Sequence, residues 1–431
     1  MVVVASVLTA CWTQPGADSG GTYSSPWPTA INVDNVASLT PAFTARSSDN
    51  FSWAQTVVSG GRLFVHADRL LAYDATGSAG CAGVPRDCTP LWASTPFPGS
   101  FAVGPVVADG LVWVGTGPHD LLAFDAAGVE GCGGTPRVCR PVRDVALPYA
   151  PSKLVATPEG FAVMVAEPLG GAFRHHLLAL DHAGKVRFSV VMGGHPEPSY
   201  HVPAESDGYL FAVNVLGTEY KVQAFDAAGI RSCSGSPRVC TPLWESETHW
   251  TPIGRIMATG GHLIVTQDGG ISVYDVDGGP DCTAGVGPAR WRAKTIGSYV
   301  AAGAGRIVLA GTDGIAAYPF ADGDDRCGGS PRVCAPVWTG RYPQYSSAYA
   351  APTIAGGVVY LTVLNRVVAY DVNGVEGCAG APAVCSPLVT LEVPAAASPI
   401  VVGSFLYLTG LRSGTYPPSG PNVPVTAFTL P

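Results

Sequence analysis

A short apolar motif ending in an aromatic residue and usually an aspartate returns eight times along this chain. The copies are LLAYD (to Asp74), LLAFD (Asp125), LLALD (Asp181), VQAFD (Asp226), ISVYD (Asp275), IAAYP (Pro319), VVAYD (Asp371) and VTAFT (Thr429). Successive copies stand 51, 56, 45, 49, 44, 52 and 58 residues apart. A period near fifty is too long for most helical repeats and leaves room for four strands with their turns. One such unit cannot bury its apolar faces alone, so neighbouring units must stack.

The residues around each copy supply the other strands. Upstream, GPVVADGLVWVG (104–115) sets Asp109-Gly110 between two apolar runs, TVVSGGRLFV sets Gly60-Gly61 there, and TIAGGVVYLT (353–362) sets Gly356-Gly357 there. Such pairs favour the tight turns whose twist matches that of the flanking strands. Downstream, a last short strand carries PLW at Trp92 and Trp244 and PVW at Trp338. No segment has a convincing helical period. Four-stranded antiparallel units in series make a β-propeller.

The eighth unit has no room for a fourth strand before Pro431, but NVASLTPAFTA (35–45) has the character of a lone outer strand. Pairing it into the last blade closes the ring and removes an exposed sheet edge. The expected fold is all-β: an eight-bladed propeller of four-stranded antiparallel blades over residues 31–431, its ring closed by an N-terminal strand.

Composition agrees. Gly (54) and Pro (38) are abundant, yet 47% of the chain is hydrophobic and 13% charged. That is the profile of many strands and tight turns, not of disorder. Net charge is −8 and no stretch concentrates Lys or Arg, which argues against nucleic acid as a partner.

Five copies of the motif are followed by a cysteine-ended loop, C-x-G-x-P-x-x-C. The loops are CAGVPRDC (Cys81, Cys88), CGGTPRVC (Cys132, Cys139), CSGSPRVC (Cys233, Cys240), CGGSPRVC (Cys327, Cys334) and CAGAPAVC (Cys378, Cys385). Zinc sites use closer pairs combined into four ligands. Here no histidine lies beside the pairs, and different blades hold them far apart. In an exported protein an even set of spaced cysteines forms disulfides. Each staple is expected to contribute about 2 kcal/mol. Cys282 begins a degenerate copy in which Ala289 stands for the second cysteine. Arg86, Arg137, Arg238 and Arg332 recur inside the loops. They read either as a docking rim on one face or as side chains that pair locally or face water.

The first residues, MVVVASVLTAC, form an apolar run too short to span a bilayer but suited to an export signal. Leu8-Thr9-Ala10-Cys11 resembles a bacterial lipobox, with Cys11 as the lipidated residue, although no Lys or Arg precedes the run. Residues 1–11 are thus expected to be an export signal and 12–30 a flexible polar tether. The protein is expected to be exported, either lipid-anchored or secreted, and to meet the membrane only through that anchor.

The Val-rich hairpin, the AFDAAG strand end, the terminal LW and the lead-in NVASLTPAFT resemble the repeat of quinoprotein-type (PQQ-like) propellers, over almost the whole chain. Some relatives are pyrroloquinoline quinone-dependent dehydrogenases; others bind no cofactor, among them the lipoprotein of the outer-membrane barrel-assembly machinery. The resemblance implies a fold more than a function. A quinoprotein would need a quinone, a calcium or similar ion and a general base. No Cys-Cys dipeptide occurs, and no acidic cluster in the sequence matches that metal site. Turns such as DVDGGPD (Asp275, Asp277, Asp281), ADGDD (Asp322, Asp324, Asp325) and DVNGVE (Asp371, Asn373, Glu376) are oxygen-rich, but tight turns use the same residues. No catalytic, cofactor-binding or metal-binding residue is assigned, and no site in the sequence supports PQQ or calcium.

One further periodicity concerns binding. Trp53, Phe101, Tyr149, Tyr200, Trp250, Tyr299 and Tyr349 precede successive first strands at spacings of 48, 48, 51, 50, 49 and 50. First strands line the axis of a propeller, so these rings are candidates for a ligand-binding mouth. They read equally well as wedges between blades. His201 and His249 lie beside two of them. The expected role is a non-enzymatic binding or scaffold protein of the cell envelope, with an envelope protein or a glycan as partner. The alternatives are a PQQ-dependent oxidoreductase and a glycan-binding propeller.

Overall fold

The computed structural model describes residues 11–46, 55–97, 102–117, 119–195, 201–267, 269–294, 297, 299–312, 314–320, 325–342, 348, 350–363, 366–393, 397–410 and 425–431. They form eight sheets in an eight-bladed propeller. Blade 1 consists of Gln55–Ser59, Arg62–His66, Leu70–Asp74 and Trp92–Ser94, paired antiparallel in that order from axis to rim. Blades 2 to 7 repeat the scheme, with third strands at Asp120–Asp125, Phe173–Leu180, Glu219–Asp226, Gly270–Asp275, Ile315–Pro319 and Arg366–Asp371. Each is a copy of the motif found in the sequence. Blade 8 holds Ile400–Val402, Phe405–Thr409 and Val425–Thr429, and Thr40–Ala45 pairs antiparallel with its third strand.

The ring therefore closes as the sequence implied, with one adjustment. The lead-in is strand only from Thr40. Before it, Val36–Ser38 form a 3-10 turn that buries Val36 and Leu39 with residues of blades 7 and 8.

Hairpin turns follow the expected chemistry. Asp109 and Gly110 have φ of 52° and 75°, a left-handed pair that Asp and Gly tolerate best.

Blades lock through the repeated turn glycine. A Cβ on Gly128 would stand 2.2 Å from Trp92 of blade 1, and one on Gly374 would stand 2.3 Å from Trp338 of blade 6. These two fourth-strand tryptophans thus pack against a glycine of the next blade. Trp338 also donates its indole N–H to the Val372 carbonyl at 2.9 Å. This explains why the AAG and LW fragments recur together: each is half of one inter-blade contact.

All five cysteine pairs are disulfides. In each, the cysteines face one another across a two-stranded hairpin. The hairpin does more than tie its own loop. It adds in parallel to the fourth strand of the preceding blade, as Val138–Cys139 does beside Trp92–Ser94. The degenerate copy at Val286–Gly287 does the same beside Trp244–Ser246 without a disulfide.

Six outer edges are covered in this way. Among the described residues, the two left bare are Arg143–Ala146 of blade 2 and Val389–Glu392 of blade 7. Each faces a blade that lacks a hairpin: blade 3 turns directly through Asp181–Lys185, and blade 8 takes its fourth strand from the N-terminus.

Candidate functional site

The stretch expected to be a flexible tether is part of the body. Residues 12–30 run once round the propeller axis and hydrogen-bond each blade in turn. Trp12 exchanges both backbone bonds with Val58 of blade 1, and the Val107 amide of blade 2 donates to the Thr13 carbonyl. Gln14 meets the backbone of Ala156 in blade 3 through its side-chain amide. The amides of Glu205, Ala258, Ala302 and Ile354, in blades 4 to 7, donate to the carbonyls of Ser19, Gly20, Thr22 and Tyr23. Ala30 completes the circuit at Gly403 of blade 8.

The physical reason is edge satisfaction. The first strand of each blade presents unpaired amides to the axis, and buried amides need partners. This collar supplies them. Its approach is close: a Cβ on Gly20 would lie 1.9 Å from the Ala258 carbonyl oxygen, so only glycine fits. The Asp18 carboxylate ties the bend by accepting from the Thr22 amide at 3.0 Å and its hydroxyl at 2.5 Å.

Beside the collar lie two cations. Arg255 of blade 5 donates to the Tyr23 hydroxyl at 2.7 Å. Its guanidinium stands 5.3 Å from the Tyr23 ring centre and 6.0 Å from that of Tyr299. The Lys153 side chain of blade 3 has no hydrogen bond or ion pair among the described residues. Burial, and then the Arg255 charge, push its ammonium below the ordinary lysine value. Blades 3 and 5 are not neighbours, so this coupling crosses the axial space.

The two residues are equivalent in place. Each stands three positions before the collar-bonded residue, Ala156 or Ala258, and each directly follows a β-bulge, at Pro151/Lys153 and Ile253/Arg255. A bulge re-aims the side chain that follows it.

The aromatic series does not form one ring. Trp53, Phe101, Tyr200 and Tyr349 lie outside the described residues. Of the other three, Tyr149 stacks on His176 with ring centres 5.0 Å apart, Trp250 is 69% exposed, and only Tyr299 borders the cationic pair. Equal spacing in sequence is not equal height, because Trp250 lies eight residues before its blade's collar bond and Tyr299 three. Of the two histidines, His249 bridges Gln267 and the Tyr274 hydroxyl, which also donates to Glu247. This network binds the end of blade 4 to blade 5, and burial lowers the His249 pKa. His201 is half-buried.

Other candidates resolve into turn chemistry. Arg86, Arg137 and Arg238 donate to the carbonyls of Gly77, Gly128 and Gly229 at 3.0, 2.9 and 2.7 Å. They pin the hairpin to the turn nine residues upstream, so these three guanidiniums are engaged by the fold. Asp125 accepts from the amides of Ala127, Val129 and Glu130, and Asp371 accepts from Asn373, Val375 and Glu376. Asp275 is held by Arg290 at 2.9 Å, and the Asp277 carboxylate accepts from Gly279. Asp322 and Asp324 lie outside the described residues.

Among the described residues no three His, Cys, Asp or Glu side chains converge as metal ligands. Lys153 and Arg255 are cations rather than oxygen donors. They do not fit a quinone–calcium pair, and no oxidation step is derived through one. Cys11 and Cys282 are free thiols, both half-buried. Residues Leu8 to Ala10 of the lipobox-like run lie outside the described residues. No helix among the described residues is long and apolar enough to cross a membrane.

Three solved structures share this architecture. BamB from Moraxella catarrhalis aligns with a TM-score of 0.57 and 12% identity, covering 91% of this chain and 98% of that one. Quinohemoprotein alcohol dehydrogenase from Comamonas testosteroni gives 0.59 and 14%, covering 99% and 81%. The computationally designed Ika8 protein gives 0.57 and 11%, covering 91% and 99%. No protein-family model and no curated protein matches the sequence. The fold is that of the PQQ-like eight-bladed propellers. At identities of 11 to 14% these likenesses carry the fold alone.

Proposed function

We propose that this protein is an exported, non-enzymatic scaffold of the cell envelope that binds a protein partner through its open sheet edges. The carrying observation is the contrast between six covered outer edges and two bare ones, Arg143–Ala146 and Val389–Glu392. In covered blades the outward amides of Ala93, Glu245 and Arg292 donate to carbonyls of the added strand, at Arg137, Gly285 and Arg332. Asp144 and Thr390 hold the matching places on the bare edges. An extended segment of a partner can add there as a further strand, the main-chain mode of peptide recognition.

The five disulfides fit an oxidising compartment. A lipid on Cys11 fits the same reading. Cys11 immediately precedes the collar, so an acyl chain there would hold the collar side of the propeller toward the membrane.

The test is a photo-crosslinking residue placed at Thr390 or Asp144 in the producing cell. The reading expects a discrete envelope-protein adduct, abolished by Thr390→Pro or Asp144→Pro in protein that stays folded. Adducts indifferent to proline would overturn the edge reading. Dye reduction with alcohols in the presence of PQQ and calcium would overturn the non-enzymatic one.

A further inference from the structure

We propose that the propeller axis holds a binding site for a compact oxyanion, a carboxylate or phosphate group of a small molecule, formed by Lys153 and Arg255 above the N-terminal collar. This goes beyond the edge-docking role and does not depend on it.

The first strands of blades 2, 3 and 5 each carry a bulge just before the collar contact, and in blades 3 and 5 the residue three places before that contact is a cation, where blade 2 has Gly104. The two cations meet no carboxylate: neither has an ion pair among the described residues, and the Lys153 side chain has no hydrogen bond either. Holding two unneutralised positive charges near one another in a partly desolvated space is unfavourable, and an anion between them removes that cost. The Arg255 guanidinium spends one N–H on Tyr23 and is oriented by two rings, which leaves donors of its planar fork for a carboxylate or phosphate.

The surroundings fit a small ligand. The Tyr23 hydroxyl and the Tyr299 ring border the guanidinium. In blades 1 and 2 the residues three places before the collar contact are Gln55 and Gly104. The glycine leaves room that the Gln55 side-chain amide fills: a Cβ on Gly104 would lie 1.5 Å from its oxygen. The collar rings the axis near the C-terminal ends of the first strands.

The experiment is calorimetric titration of the full oxidised chain with sodium malonate and, separately, inorganic phosphate. Saturable binding of either probe, weakened about tenfold or more by Lys153→Met, is the expected result. The tighter probe identifies the group recognised. Lys153 supports nothing else in the fold, so this variant stays folded. Arg255→Met also frees Tyr23 of the collar and is therefore read alongside its unfolding midpoint. A second readout is the Lys153 ammonium titration by NMR, which saturating anion should shift upward. Absence of saturable binding of both probes, or binding unchanged in Lys153→Met, overturns the proposal.

Discussion

The outer and inner edges of this propeller solve one problem in opposite ways. Every blade ends at the rim and at the axis in a strand with unpaired backbone groups. At the rim the answer is local and repeated: a hairpin grown from one blade covers the edge of the blade before it, five times with a disulfide and once without. At the axis the answer is given once, by a single segment that visits all eight blades. The rim is modular, so losing one hairpin leaves the others in place. The collar is a serial device, so a break anywhere in it loosens every later contact.

The largest expected effect follows from that difference. Deleting residues 12–25 removes partners from inner-strand amides in seven blades and takes away Trp12, which is 2% exposed and packs in the core of blades 1 and 8. Net hydrogen bonds contribute about 1 kcal/mol each, so the loss is on the order of 5 kcal/mol and should lower the denaturant midpoint steeply.

Removing one staple, by Cys132→Ser with Cys139→Ser, should cost about 2 kcal/mol. Its effect should stay local to blades 1 and 2 when followed by hydrogen exchange. A global effect as large as that of collar deletion would erase the distinction between modular and serial edges.

A point change in the collar is intermediate in reach. Gly20→Val drives a side chain into the Ala258 carbonyl and should cost about 2 kcal/mol. The cost should appear as faster exchange in blades 5 to 8 rather than in one blade.

The smallest effect concerns pH and the rim turns. Burial pushes the carboxyls of Asp125 and Asp226 up, but the backbone amides they accept from outweigh it and hold both below the usual value. Their stabilising contribution is therefore complete above about pH 4. It is lost as pH falls through their lower folded values. Asp125→Asn should lower neutral stability slightly and flatten acid unfolding in that range, the variant and the parent converging at the lowest pH.

The rim was legible in the sequence because its parts are written in side chains and repeated. Third-strand motifs, turn glycines, fourth-strand tryptophans and cysteine loops recur together, and each pair of fragments is one contact. The collar was not legible for the converse reason. Its bonds are mostly main-chain bonds, its residues are mostly Gly, Ser, Thr and Pro, and such a composition reads as tether whether or not eight strands wait to pair with it. The axial cations were hidden by the same logic. Lys153 and Arg255 are single residues without a periodic signal, and the bulges that aim them are set by pairing with the second strand. The aromatic series misled in the opposite direction. Its spacing is regular, yet it places Tyr149, Trp250 and Tyr299 in three different settings, because the length of chain between each aromatic and its collar bond differs from blade to blade.

The most direct test of the serial collar is amide hydrogen exchange at Val107, Ala258, Ala302 and Ile354, each of which donates to a collar carbonyl. The account predicts slow exchange of all four in the intact protein, accelerating together when residues 12–25 are removed. Exchange as fast as at the open-edge amide of Thr390 in the intact protein, or protection unchanged by the deletion, would contradict it.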